Sequence, residues 1–165
     1  MIKSIRMFFV FFFLGMNISA IYAAEDINLD RLSERAGKAQ KHVFVLFQKE
    51  ACSYCERMLH ESLDHPDIKS KLKRHFITAI VNINSRGNVT YRDFNGSKHA
   101  FAKSLKIGLY PSVVFIDGNH SLVYGLVGYR KSDQFSKVLD YVSSGSYKKM
   151  DFESFENMLE FEEDN

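Results

Sequence analysis

"EACSYCERM", Glu50–Met58, holds the only two cysteines of a 165-residue chain. Cys52 and Cys55 are separated by two residues, a spacing that serves a structural staple, half of a metal site, or a pair whose opening and closing is its chemistry. Their surroundings bear on the choice. Upstream, "HVFVLFQ" (His42–Gln48) is an unbroken apolar run rich in Val and Phe, the pattern of a strand buried on both faces. Downstream, "CERMLHESL" consists of good helix formers, and "DHP" stops it. The cysteines therefore fall where a short polar loop passes a buried strand into a helix.

A staple across two residues closes a loop of about four, for which loop entropy gives about 2 kcal/mol at most. A chain of this length buries a core without such help. A zinc site needs a second cysteine pair or two suitably spaced histidines, whereas His60 and His65 follow Cys55 too closely. A c-type haem needs His directly after the second cysteine, where Glu56 stands. Thiol–disulfide exchange uses each local feature. Cys52 at a helix start is favoured as a thiolate, and Cys55 lies one turn on, facing the same side. The expectation is an exposed Cys52 that attacks and a sheltered Cys55 that resolves. The residues alone leave all three readings open and favour the third.

The first residues differ from the rest. Lys3 and Arg6 precede an apolar run from Met7 to Met16, with small residues around Ala20, Ala23 and Ala24. This is the layout of a secretory signal peptide, residues 1–23, cleaved after Ala23. The competing reading is an uncleaved membrane anchor over Met7–Ala24. Either places the folded part, residues 24–165, outside the cytoplasm. Removing residues 1–23 takes away two bases and no acid, so the net charge of +2 falls to zero. No nucleic-acid partner is expected from such a balance. The acids of "EFEEDN" at the end read as a solvated tail.

Periodicity predicts a helix in "INLDRLSERAGKAQ", a second helix opened by Pro66 with Asp64 or His65 as its cap, and a second buried strand in "FITAIVNIN". The Asn-Gly of "TYRDFNGSKHAF" predicts a tight turn, and a helix follows near residues 97–105. Strands over Ser112–Ile116 and Ser121–Leu126 flank an Asp-Gly-Asn turn. Two amphipathic helices follow, "KSDQFSKVLDYV" capped by Ser132 and "DFESFENMLEF". His42, His75, His99 and His120 show no ligand spacing, and no metal or cofactor is expected.

Cys52-Ser53-Tyr54-Cys55 between a strand and a helix, then Tyr110-Pro111 before a hairpin and a closing helix, resembles the thioredoxin superfamily over residues 28–145. Within it the chain is similar to secreted thioredoxin-like proteins, including periplasmic thioredoxins associated with sulfur oxidation. The resemblance implies an α/β thioredoxin fold: a central mixed sheet of about four strands flanked by helices, with extra N- and C-terminal helices. It implies a cis Tyr110–Pro111 bond, with Tyr110 packed over Cys52 and offering its backbone to an extended substrate, and a binding surface that includes Ser53 and Tyr54. Leu46 departs from the family's buried Asp and Ala51 from its Trp, so proton transfer at Cys55 lacks its usual acid; Glu50, Lys49 and Glu56 are the nearby candidates. The implied activity is periplasmic reduction of protein or peptide disulfides, supplied with electrons by a membrane partner. The alternatives are a disulfide oxidase or isomerase and a non-catalytic peptide- or metal-binding module.

Overall fold

Val43, Phe44, Val45, Leu46 and Phe47 are each at most 1% exposed, so the strand that leads to the cysteines is buried on both faces. The computed structural model describes residues 25–163; the expected signal peptide, residues 1–23, lies outside them. The elements are β1 (Ile27–Asn28), α1 (Leu29–Lys38), β2 (His42–Gln48), α2 (Ser53–Arg57), α3 (Pro66–His75), β3 (Phe76–Asn82), β4 (Asn88–Tyr91), β5 (Phe94–Ser97), α4 (Lys98–Ser104), β6 (Ser112–Ile116), β7 (Leu122–Val127), α5 (Ser132–Ser143) and α6 (Phe152–Glu163). A 3-10 turn, Ser146–Lys148, joins α5 to α6.

The central sheet has the order β3-β2-β6-β7. β2 pairs parallel with β3 and antiparallel with β6, and β6–β7 is an antiparallel hairpin. Alternation along β2 divides the core. Phe44 and Leu46 join Met58, Ile68, Phe115, Phe135 and Leu139 beneath α3 and α5. Val43, Val45 and Phe47 join Leu29, Ala36 and Phe101 beneath α1 and α4 on the other face. Each such burial contributes about 1.5–3 kcal/mol. α6 extends the first cluster through Phe155, with Phe152, Met158 and Leu159 packed against it.

Three local expectations are corrected, and one feature is new. β3 is an edge strand with alternating burial, and Ile80 faces solvent. Pairing on one side only leaves half its side chains uncovered. The β4–β5 hairpin turns at Arg92-Asp93, while Asn95 and Gly96 pair inside β5 with Thr90 and Val89. Asp30 holds that turn by accepting from the Arg92 N–H at 2.9–3.0 Å. Lys131, not Ser132, is the N-cap of α5, and no side chain caps it. β1, β4 and β5 form a small second sheet, with β1 parallel to β4.

Candidate redox site

The chain enters α2 through Ala51, whose φ of 51° lies in the left-handed region. For a residue with a Cβ this costs about 1–2 kcal/mol. Cys52 then acts as the N-cap: its φ and ψ are extended, and its sulfur accepts from the backbone N–H of Cys55 at 3.2 Å. Cys55 lies on the first turn of α2, and the two sulfurs are bonded. Cys52, expected to be exposed, is buried at 8% exposure, and Cys55, expected to be sheltered, is buried at 4%. Cys52 is the less buried of the two, by a narrow margin.

Part of its cover is the Tyr110–Pro111 segment. The peptide bond is cis, and the carbonyl oxygen of Tyr110 lies 3.8 Å from the Cys52 sulfur. In the disulfide this is a contact; once reduced, the thiol gains a hydrogen to donate to it. It is the Tyr110 carbonyl that meets Cys52, whereas the phenol of Tyr110 donates to the Ile107 carbonyl at 3.5 Å and its ring packs against the α1/α4 cluster. Pro111 is buried and its carbonyl accepts from Gly128 N–H at 2.8 Å. Gly128 has φ 89°, a conformation suited to a residue without a Cβ.

Sequence reasoning missed a second set of residues that ties this region together. After Arg57 the helix widens over Met58–Leu63 into π-helical turns, closed by the Asp64 N–H on the Leu59 carbonyl at 2.9 Å. The guanidinium of Arg57 lies 4.3 Å from the centre of the Tyr129 ring and 5.9 Å from that of Tyr54. Glu61 accepts from Arg57 at 3.0 and 3.1 Å and from the Tyr129 hydroxyl at 2.6 Å. These bonds hold its carboxyl down at about 2. Buried Ser62 donates to the Arg130 carbonyl. The loop after β7 is thus fastened to the cysteine helix on one side and to Pro111 on the other. No motif in the sequence signals this, since the partners are 68 residues apart.

Ser53 and Tyr54 are exposed on α2, and Tyr54 shows 57% of its surface. Leu109, 70% exposed, and Val127 border a groove of about 270 Å³ that runs past Ser112. These are apolar surfaces next to the Tyr110–Pro111 segment. Leu46 is buried where the family's acid would stand, and Glu50 and Glu56 are exposed. A larger cavity of about 580 Å³ between α1 and β3 includes none of the site residues. Among the described residues no group of three or more His, Cys, Asp or Glu is arranged to hold a metal, and no helix is long and apolar enough to cross a membrane.

Comparison with known proteins follows the same lines. Residues 29–143 match the thioredoxin-like domain family. Among solved structures, a thioredoxin-fold protein from Helicobacter pylori is similar at 26% identity and a TM-score of 0.60, over 73% of this chain and 81% of that one. A thioredoxin from Thermus thermophilus is similar at 24% identity and 0.55, over 70% and 84%. The C-terminal domain of DsbD from Neisseria meningitidis, in the oxidised form, is similar at 21% and 0.50, over 70% and 97%. No curated protein sequence matches.

Proposed function

This chain belongs to the thioredoxin-like domain family, and we propose that it reduces protein disulfides outside the cytoplasm through the Cys52–Cys55 pair. The fold and the bonded Cys-x-x-Cys support thiol–disulfide oxidoreductase activity. One observation carries the assignment of roles: the Cys52 sulfur sits at the helix N-cap with the Cys55 N–H directed at it. That donor and the positive end of the helix favour the thiolate at Cys52.

In the reduced protein the Cys52 thiolate attacks one sulfur of a substrate disulfide. A Cys52–substrate bond forms, the substrate S–S bond breaks, and the first substrate sulfur leaves as a thiolate that takes a proton. Cys55, deprotonated, then attacks the Cys52 sulfur. The intramolecular bond forms, the mixed disulfide breaks, and the second substrate sulfur leaves. Two electrons pass from the dithiol to the substrate. A second dithiol must return them, and a membrane partner is our proposal for it. The carbonyl of Tyr110 and the exposed faces of Ser53, Tyr54 and Leu109 are proposed to hold the substrate backbone, with Pro111 as the floor. We propose residues 1–23 as the export signal, which places the domain of residues 24–165 in the periplasm.

Two measurements test this reading. Reduced protein should reduce the disulfides of insulin, and the Cys52→Ser variant should not. Equilibration with glutathione should give a potential well below that of the strong oxidant DsbA, about −120 mV. A value near that figure would overturn the reducing direction.

A further inference from the structure

We infer that a basic groove beside Tyr110 is a subsite for a carboxylate-rich stretch of polypeptide flanking the substrate disulfide. The inference rests on the exchange reading above. An open cavity of about 570 Å³ lies against Tyr110. Lys49 from the end of β2, His99 and Lys103 from α4, and Lys106 from the loop leading to Tyr110 line it. Ile83, Ile107 and Tyr110 give it apolar surface, and among the described residues no Asp or Glu borders it. Among the described residues, the ion pairs all involve other cations, so these three lysines have no carboxylate partner. The cavity between α1 and β3 differs: there Arg31, Arg35 and Lys98 share the lining with Glu25 and Asp26.

The position of the groove points the same way. Lys49 and Ile83 follow the carboxyl ends of the parallel strands β2 and β3, the edge at which open α/β sheets take ligands. Lys103 also complements the negative end of α4, but Lys49, on another element, has no such role. The loop that carries Lys106 is fixed to α4, with Lys106 N–H on the Lys103 carbonyl and Ile107 N–H on that of Ala102, both at 2.9 Å. The backbone that carries Lys103 and Lys106 is therefore fixed before a ligand arrives. The groove reaches the redox pair through Tyr110, whose carbonyl touches the Cys52 sulfur. Leu109, which precedes Tyr110 in the chain, is exposed. A surface of that extent suits a polypeptide that crosses the cysteines and lays its acidic residues on the lysines.

The test uses two disulfide-closed peptides identical except for Glu or Gln flanks. At low ionic strength wild-type kcat/KM should favour the Glu peptide about tenfold, as electrostatic steering allows. The ratio should fall toward one in about 1 M salt. K103E/K106E should bring it to one or below, and K103R/K106R should preserve it. Lys49 is left unchanged because it lies three positions before Cys52. A wild-type ratio of one, or a ratio that K103E/K106E does not alter, overturns the inference and leaves the exchange reading standing. Failure to reduce either peptide sinks the exchange reading itself. Oxidised glutathione, a small disulfide bearing carboxylates, distinguishes the source: a loss in K103E/K106E as large as that of the Glu peptide would assign the groove to small anions and overturn the polypeptide proposal.

Discussion

The backbone N–H of Cys55 is directed at the sulfur of Cys52, 3.2 Å away. A hydrogen bond to a sulfur is stronger when that sulfur is an anion, so the geometry favours deprotonation of Cys52 over Cys55. In the reduced protein at pH 7, iodoacetamide should label Cys52 about tenfold faster than an unperturbed thiol, whose pKa is about 8.5. Peptide mapping after a short pulse should find the label at Cys52 and little at Cys55. Equal labelling of both would contradict the assignment.

Gly118 and Gly37 bring the β6–β7 turn and α1 into backbone contact. A Cβ on Gly118 would lie 2.5 Å from the Gly37 Cα, and neither backbone can yield without moving its element. Gly118→Ala should lower stability by about 1–3 kcal/mol, as overpacking does. A Cβ on Gly108 would meet no atom within 4 Å, so Gly108→Ala should leave the urea midpoint nearly unchanged. The pair of midpoints is the measurement.

Glu61 supplies a pH signature. Its carboxyl is held down at about 2, against an ordinary value of 4.5, chiefly by hydrogen bonds from Arg57 and then Tyr129. The folded state thus prefers the carboxylate. Its contribution is full above the ordinary value and is lost as pH falls toward the folded one. The gap in urea midpoint between wild type and Glu61→Gln should be constant above pH 5 and should close between about pH 4.5 and 2. A gap that persists at pH 2 would show that the Arg57–Glu61–Tyr129 contact acts through packing alone.

His42 has a folded pKa that is also lowered, for a different reason. Burial disfavours its charged form and nearby Lys148 adds to the effect, while Asp117 opposes it. Its ring nitrogen is 3.1 Å from the Tyr147 hydroxyl. Stability contributed by the neutral ring is present above the ordinary value of 6.5 and is lost as pH falls below it. Wild type should therefore lose stability relative to His42→Gln on going from pH 7 to pH 5. Thermal melts of the two proteins across that range provide the check.

The parts of the fold that depend on neighbours in sequence could be read in advance. β2 is visible because five consecutive apolar residues face both clusters. Pro66 marks the first turn of α3 because its fixed φ and missing N–H suit that place. The position of Cys52 at a helix start follows from the same local logic. What escaped depends on distant partners. The turn at Arg92-Asp93 forms where the carboxylate of Asp30, 62 residues earlier, receives its N–H, and this outweighs the local preference of Asn95-Gly96. β1 is two residues long and exists through its pairing with β4. The Arg57–Glu61–Tyr129 contact depends on Tyr129, 68 residues after Glu61, which no local residue pattern announces. The enclosure of Cys52 comes partly from a segment 58 residues away.

The central claim is that Cys52 forms the covalent bond to substrate and Cys55 releases it. The most direct measurement is the yield of disulfide-linked complex when reduced Cys55→Ser and Cys52→Ser variants are mixed with a disulfide-bearing protein and resolved without reductant. The expected result is a stable one-to-one adduct, linked through Cys52, for Cys55→Ser and none for Cys52→Ser. An adduct that forms equally well with Cys52→Ser, or that fails to form with Cys55→Ser, would contradict it.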